Sequence, residues 1–306
     1  MQGLLYLGIF ICHLVGVLSR LKYGYSIKTV IDICVYAVVT GVIALVVFAV
    51  SSGFNLQFNF KTVIYAIFYS LVVIASYSCS LIIFKFISVS ESGFYSTGLT
   101  LVITAICGYL LFSEPFTLIS VIRVVLMLIS LLLIYLTERK TNKNDNGDNN
   151  ALKPKVNKNK IIGILLCVAA GFVGVGELII SKLFAIDSEV TSSNSLFFLT
   201  NVITIIIAII VFFIVKKGNV KECFYEIKKI KPILYLIIII ATVASNIISL
   251  LNVLILKTGS VSLFAPLSNA LLLLAYQVVG AIFKKEKIQV LPSVLAVVAI
   301  ILGIWG

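Results

Sequence analysis

Residues 85–114 read KFISVSESGFYSTGLTLVITAICGYLLFSE, and residues 257–286 read KTGSVSLFAPLSNALLLLAYQVVGAIFKKE. A shift of 172 residues lays one on the other without a gap. Lys85 then falls on Lys257, Ser88-Val89-Ser90 on Ser260-Val261-Ser262, Ser96 on Ser268, Gly108 on Gly280 and Glu114 on Glu286. The register runs from about Thr62 to Ile134, against Leu234 to Gly306. Apolar segments match one another by chance, so the polar coincidences carry the inference of an internal duplication. The opening segments of the two halves match poorly.

Of the 306 residues, 61% are hydrophobic and 12% charged. A soluble domain runs near 45–50% and about 25%. Mean hydropathy is +1.17. A soluble fold has too little interior to hide that much apolar surface. A soluble enzyme, a disordered chain and a secreted disulfide scaffold are thereby excluded, and a polytopic membrane protein is expected. The net charge of +12 is not read as a nucleic-acid surface, because the cations lie between apolar runs. That placement suits membrane topology and anionic headgroups. The six cysteines are scattered without CxxC spacing, so neither a metal site nor a disulfide framework is expected, and no cofactor is implied. Met1-Gln2-Gly3 enters an apolar run without Lys or Arg, so the first run reads as a retained helix rather than a signal peptide.

At about 20 residues per crossing, the apolar runs give ten spans. They are roughly Gly3–Leu18, Thr29–Val50, Thr62–Phe84, Ser88–Phe112, Phe116–Leu136, Ile161–Leu183, Ser193–Val215, Pro232–Leu256, Val261–Phe283 and Ile288–Trp305. Continuous runs of this length exclude barrel strands, which alternate over about ten residues. The one long connection, TNKNDNGDNNALKPKVNKNK, is too polar to bury and reads as a flexible linker. The predicted organisation is a first five-helix repeat over 1–137, a linker over 138–160 and a second five-helix repeat over 161–306. Five crossings is an odd number, so the second repeat enters the membrane upside down relative to the first. That is the inverted-repeat plan of many secondary transporters, with a site at the repeat interface exposed alternately to either side.

Ten spans in two halves, each half with a short Glu-bearing turn before its terminal helix, resemble the drug/metabolite transporter superfamily, EamA type. The turns are Phe112-Ser113-Glu114-Pro115-Phe116-Thr117 and Lys285-Glu286-Lys287-Ile288. The resemblance covers nearly the whole chain apart from the linker. It implies a helical transporter whose central cavity is lined mainly by spans 1, 3, 4, 6, 8 and 9. The sequence departs from the pattern at Lys287, which stands where the first turn has Pro115, and in a first span without Trp.

A polar side chain inside a bilayer needs a partner or a cavity. Span 8 carries Thr242, Ser245, Ser249 and Asn252 at spacings of three, four and three, hence on one face. Asn246 lies beside that stripe. In the repeat register Thr242, Ser249 and Asn252 fall on Ser70, Tyr77 and Ser80 of span 3. Spans 4 and 9 add Tyr95, Ser96 and Thr97 opposite Leu267, Ser268 and Asn269, with Tyr276 seven residues beyond Asn269. Pro266 can free a backbone carbonyl there. Such stripes serve either as packing between helices or as cavity lining. The candidate substrate-binding residues are Tyr77, Tyr95, Ser96, Thr97, Asn246, Ser249, Asn252, Ser268, Asn269 and Tyr276. Glu177, the one carboxylate well inside a span, and His13, the single histidine, are candidates for proton coupling or a counter-charge. Arg123 reads as snorkelling, and Glu114 and Glu286 as helix caps.

No GxGxxG, P-loop, HExxH or paired intramembrane Asp occurs, so ATP-driven pumping and catalysis are not expected. The reading is a secondary transporter of the cell membrane that moves a small amino-acid-like or other amphipathic solute by alternating access. Export is implied by the resemblance. A flippase for a lipid-linked intermediate, a membrane-embedded enzyme and a non-transporting subunit stand as alternatives. The partners expected are a small solute, a proton and the bilayer, with oligomeric state open.

Numbered by the span before them, the odd loops hold 20 of the 24 Lys and Arg. The other four are Lys61, Arg123, Lys182 and Lys257. Positive loops stay in the cytoplasm, which puts both ends of the chain outside. The family resemblance implies both ends inside. The charge count is the reading adopted. It is checked on a cysteine-free background by labelling intact cells with an impermeant maleimide. Gly306→Cys should label and Asn146→Cys should be protected; the reverse pattern restores the family topology.

Overall fold

A computed structural model describes residues 2–114, 158–189, 192–216, 225, 232–258, 261–288 and 290–305, and within 117–136 all but 120, 123, 127, 131, 134 and 135. The linker as far as Asn157, together with Pro115, Arg123 and Cys223, lies outside the described residues. Every regular element among the described residues is helical. The helices are α1 (Gln2–Gly24), α2 (Val30–Ser51), α3 (Phe60–Ile82), α4 (Val89–Phe112), α5 (Lys158–Ile186), α6 (Ser193–Val215), α7 (Pro232–Thr258), α8 (Val261–Lys284) and α9 (Val290–Trp305). A 3₁₀ turn, Ile83–Lys85, follows α3. Among the described residues, seven helices (α1–α7) are long and apolar enough to cross a membrane. The protein is a multi-pass helical membrane protein.

The helix starts are set by short polar side chains. Asp32 Oδ2 accepts from the backbone N–H groups of Lys28 (2.6 Å) and Thr29 (2.9 Å) ahead of α2. Asn59 Oδ1 accepts from Thr62 N (2.7 Å) at the start of α3. Ser88 and Glu91 form a reciprocal capping box on α4, and Ser192 Oγ accepts from Ser195 N (3.1 Å) on α6. Each satisfies a donor that the first helical turn leaves without an internal partner. α1 runs on to Gly24, past the end of its apolar run at Leu18, and so takes Arg20 and Lys22 out of the loop and into a helix. Leu21 and Tyr23 are buried in this last stretch, which packs it into the bundle.

The described chain forms two compact units, and each draws on both halves of the sequence. The first comprises Met1–Ile82 and Val173–Gly259. In it α2 and α3 pack on α6, and α1 and α2 on α7. Ring contacts fill its core: Phe48 stacks on Phe197 (5.3 Å), and Tyr69 meets Phe197 edge-on (5.5 Å). On α2 the buried Gly41, Ala44 and Phe48 face this core, whereas Val42, Val46 and Val50 are exposed. An exposed apolar stripe of this kind is what lipid requires. At one end Lys61 Nζ lies 3.5 Å from Asp187 and 3.0 Å from Glu189. The Asp187 carboxyl is held below its ordinary range, chiefly by the backbone N–H of Glu189 and then by Lys61. Lys182 Nζ donates to the carbonyl of Leu256 (2.9 Å).

The second unit comprises Ile83–Phe172 and Ser260–Gly306. α4 packs on α8, and α8 on α9. Phe94, Leu101 and Leu273 form its buried centre. Gly93 allows the close approach: a Cβ there would lie 2.6 Å from that of Tyr276. Both Glu-bearing turns adopt one geometry. Ser113 (φ 50°) and Lys285 (φ 54°) are left-handed, and the following N–H groups, of Glu114 and Glu286, return to the carbonyls of Gly108 (3.1 Å) and Gly280 (3.2 Å).

Glu286 also caps α4. Oε1 accepts from Val89 N (2.9 Å), and Oε2 accepts from Ser90 N (2.9 Å) and Ser90 Oγ (2.7 Å). A carboxylate is favoured there by the unpaired amides and dipole of a helix start. A Cβ on Gly280 would lie 2.5 Å from Glu286 Oε2 and 2.7 Å from Ser90 Oγ. Gly280→Ala should therefore push the carboxylate off the helix and destabilise the protein by roughly 1–3 kcal/mol, the cost of losing charged hydrogen bonds. In thermal unfolding of the double-mutant cycle with Glu286→Ala, the second substitution should add little. Additive effects would contradict this account of the cap.

Candidate functional site

A cavity of about 110 Å³ lies inside the first unit. A single water needs only about 10–15 Å³. Six helices line it: α1 with Gly16 and Arg20, α2 with Tyr36, Thr40 and Phe48, α3 with Tyr69, Val73, Ser76 and Tyr77, α5 with Glu177, α6 with Phe197, Thr200 and Asn201, and α7 with Ala241, Thr242, Ser245, Asn246 and Ser249. An apolar bundle could have closed this space with aliphatic side chains. The lining is mostly polar instead, beside an aromatic wall of Phe48, Phe197 and Tyr69.

Counting donors separates the polar groups into two kinds. Thr40 Oγ1 donates to Tyr36 O (2.8 Å), Asn201 Nδ2 to Phe197 O (2.7 Å), Thr242 Oγ1 to Ile238 O (2.7 Å) and Ser249 Oγ to Ser245 O (3.0 Å). These donors are spent on their own helices. Thr200 Oγ1 and Asn246 Nδ2 have no partner among the described residues, although the two residues are only 2% and 9% exposed. A buried polar atom without a partner is costly, and both residues line the cavity.

Two ionisable groups of opposite sign share the lining. The carboxylate of Glu177 lies within hydrogen-bonding reach of the Ser76 hydroxyl, and Arg20 attracts it electrostatically. Tyr77 feels both charges, and its hydroxyl lies within reach of Thr40. The Tyr36 ring meets Tyr77 edge-on at 5.3 Å, and Tyr23 backs Tyr36 at 4.9 Å. These rings fix the walls around the charged groups.

Of the residues named from sequence, Tyr77, Glu177, Asn246 and Ser249 line this cavity, joined by Thr242 and Ser245 of the same stripe. Asn252 continues the stripe, and its Oδ1 is buried without a partner among the described residues. His13 lies on α1, three residues before Gly16, half-buried and within the electrostatic influence of Arg20. Tyr95, Ser96, Thr97, Ser268, Asn269 and Tyr276 belong to the second unit. There Ser96 Oγ donates to Ser92 O (2.7 Å), Thr97 Oγ1 donates to Gly93 O, and Tyr276 packs on Gly93 with its ring 6.2 Å from Phe84. Asn269 Nδ2 is buried without a partner among the described residues. Among the described residues no three His, Cys, Asp or Glu side chains converge on a metal site.

Sequence reasoning missed Arg20, Tyr36, Thr40, Ser76, Thr200 and Asn201. Arg20 was counted as a loop cation. Its signal was its spacing, four residues after Gly16 and seven after His13, which places all three near one face of α1. Tyr36 and Thr40 are likewise an i, i+4 polar pair in one of the most apolar spans.

No family model and no curated protein matches this chain. Solved structures do match: 25 chains resemble it. One, a crystal structure of a protein, is similar over 96% of this chain and 94% of its own, with a TM-score of 0.58 and 12% identity. At that identity the likeness is one of fold alone.

Proposed function

We propose that the protein is a secondary transporter, similar to the EamA-type members of the drug/metabolite transporter superfamily. It moves a small amphipathic solute by alternating access. Its ten spans form two inverted five-helix repeats. The observation that carries the reading is the cavity: an apolar bundle keeps an Arg, a Glu and a run of Ser, Thr and Asn residues around one space. Intramembrane charge of this kind marks a solute or ion pathway. The paired turns support the duplication. Ser113 and Lys285, Gly108 and Gly280, and Glu114 and Glu286 stand in one register and share one backbone geometry.

Transport suits the site better than catalysis by a carboxylate pair, because Glu177 is the only carboxylate in the described lining. Glu177, with His13 beside the cavity, is the candidate for proton coupling. The direction read from the resemblance is export.

The test is purified protein reconstituted into proteoliposomes, with solutes chosen by a thermal-shift screen. Wild-type protein should give saturable flux. Asn246→Leu should unfold within a few degrees of wild type and lose about tenfold or more in flux, since one buried hydrogen bond to a solute is worth roughly 1–3 kcal/mol. Glu177→Gln should flatten the pH dependence of that flux. Wild-type flux in Asn246→Leu would return the cavity to a packing defect, and an unchanged pH profile would remove Glu177 from coupling.

A further inference from the structure

We infer that the α2–α3 and α5–α6 connections form a gate at one end of the first unit, latched by Lys61 between Asp187 and Glu189. Solute passes that end only when the latch opens. The inference rests on the transporter reading and names the moving part that serves the same cavity.

Two helices carry the contacts outward from the cavity. On α3, Tyr69 lines the cavity, and Tyr65 and Lys61 follow at four-residue steps toward the helix start, hence near one face. On α5, Glu177 lines the cavity, with Phe184 near the helix end and Asp187 just beyond it. The contacts form successive tiers. Nearest the cavity, Phe48 and Tyr69 close on Phe197. One turn out along α3, Tyr65 meets Phe184 edge-on at 5.6 Å and donates from its hydroxyl to Asp187 Oδ2 (3.2 Å). Outermost, Lys61 Nζ lies 3.5 Å from Asp187 and 3.0 Å from Glu189. The connections are also tied directly. Ser51 Oγ donates to Asn194 Oδ1 (3.1 Å), Gln57 N to Ser195 Oγ (3.0 Å), and Asn59 Nδ2 to the carbonyl of Glu189. Each of these contacts joins the first half of the sequence to the second.

The outermost tier has the chemistry of a tie that can be undone. The Lys61 and Glu189 side chains are 42% and 68% exposed. Exposed ion pairs add little stability, and water can replace carboxylates, amides and hydroxyls as partners at a helix end. The aromatic tiers beneath seal by packing and have no such replacement. Lys61 is also one of the four cations that stand off the charge-rich loops. Two carboxylates answer it here.

The experiment uses full-length protein in liposomes, with the native cysteines replaced. Spin labels at Asn55→Cys and Ser188→Cys, one exposed position on each connection, report their separation by dipolar electron paramagnetic resonance. The unaltered latch should give mainly a short distance. Lys61→Glu, which sets three like charges together, should move a large part of the population to a longer one. Adding Glu189→Lys should restore the short distance, which a folding defect would not allow. In a second arm, Ser51→Cys and Asn194→Cys are bridged by a short bifunctional methanethiosulfonate. Bridging should cut proteoliposome flux about tenfold or more, with recovery on reduction, while either single variant treated alike keeps its flux. An unchanged distance in Lys61→Glu overturns the gate, and so does full flux through the bridged protein. The two failures are separable. Distances that follow the charge swap in a protein that carries no solute would sink transport and keep the latch. Flux that continues through the bridge would sink the latch and keep transport.

Discussion

Inside a bilayer there is no water to receive a hydrogen bond, and the whole structure answers to that constraint. Backbone groups are satisfied by continuous helices, and helix starts by side chains such as Asp32, Asn59, Ser88 and Ser192. Most hydroxyls follow the cheapest route and donate to the carbonyl one turn back, as Thr40, Ser70, Ser96, Thr104 and Thr242 do. Thr200 Oγ1 and Asn246 Nδ2, like Ser80 Oγ, Thr204 Oγ1 and Asn269 Nδ2, are buried without a partner among the described residues. Thr200 and Asn246 share a lining with two opposed charges, Arg20 and Glu177.

The two compact units meet the constraint differently. In the second, polar groups serve packing and helix ends. Gly93 receives Tyr276, Gly171 lies against Leu99 and accepts from Thr100, and Glu286 caps α4. Small residues and caps let backbones approach closely, which is the usual basis of helix association in lipid. In the first unit, aromatic rings hold the helices around a space left open. The second unit is closely packed at these contacts, and the first keeps a polar void. The same sequence register supplies both, since each unit takes one segment from either half of the chain.

The helices were legible because lipid leaves a chain no choice but long apolar runs, and those runs are visible. Their ends were less so. The run that becomes α1 loses its apolar character at Ser19 and Arg20, yet the helix continues to Gly24, with Arg20 on the cavity lining and Leu21 and Tyr23 buried. The stripe on α7 was legible because spacings of three and four fix a helical face whatever the neighbours are. Ser96 and Thr97 look identical to that stripe in sequence. Their hydroxyls bond within α4, as those of Thr242 and Ser249 do within α7, so what separates the two stripes is the cavity beside α7, which no spacing announces. Glu286 reads as a helix cap from sequence, but the helix it caps, α4, lies almost two hundred residues away in sequence. Only the fold could supply that partner.

The central claim is that solute occupies the space bounded by Arg20, Glu177 and the α7 stripe. Ser245 lines that space from α7, and Ser245→Cys changes one atom. On a background with the six native cysteines replaced, the most direct measurement is the rate at which a small methanethiosulfonate reagent modifies this thiol, with and without a transported solute. Ser96→Cys in the second unit serves as reference. The account expects saturating solute to slow modification at position 245 severalfold and to leave position 96 unchanged. Equal rates at position 245 with and without solute, under conditions of active transport, would contradict it.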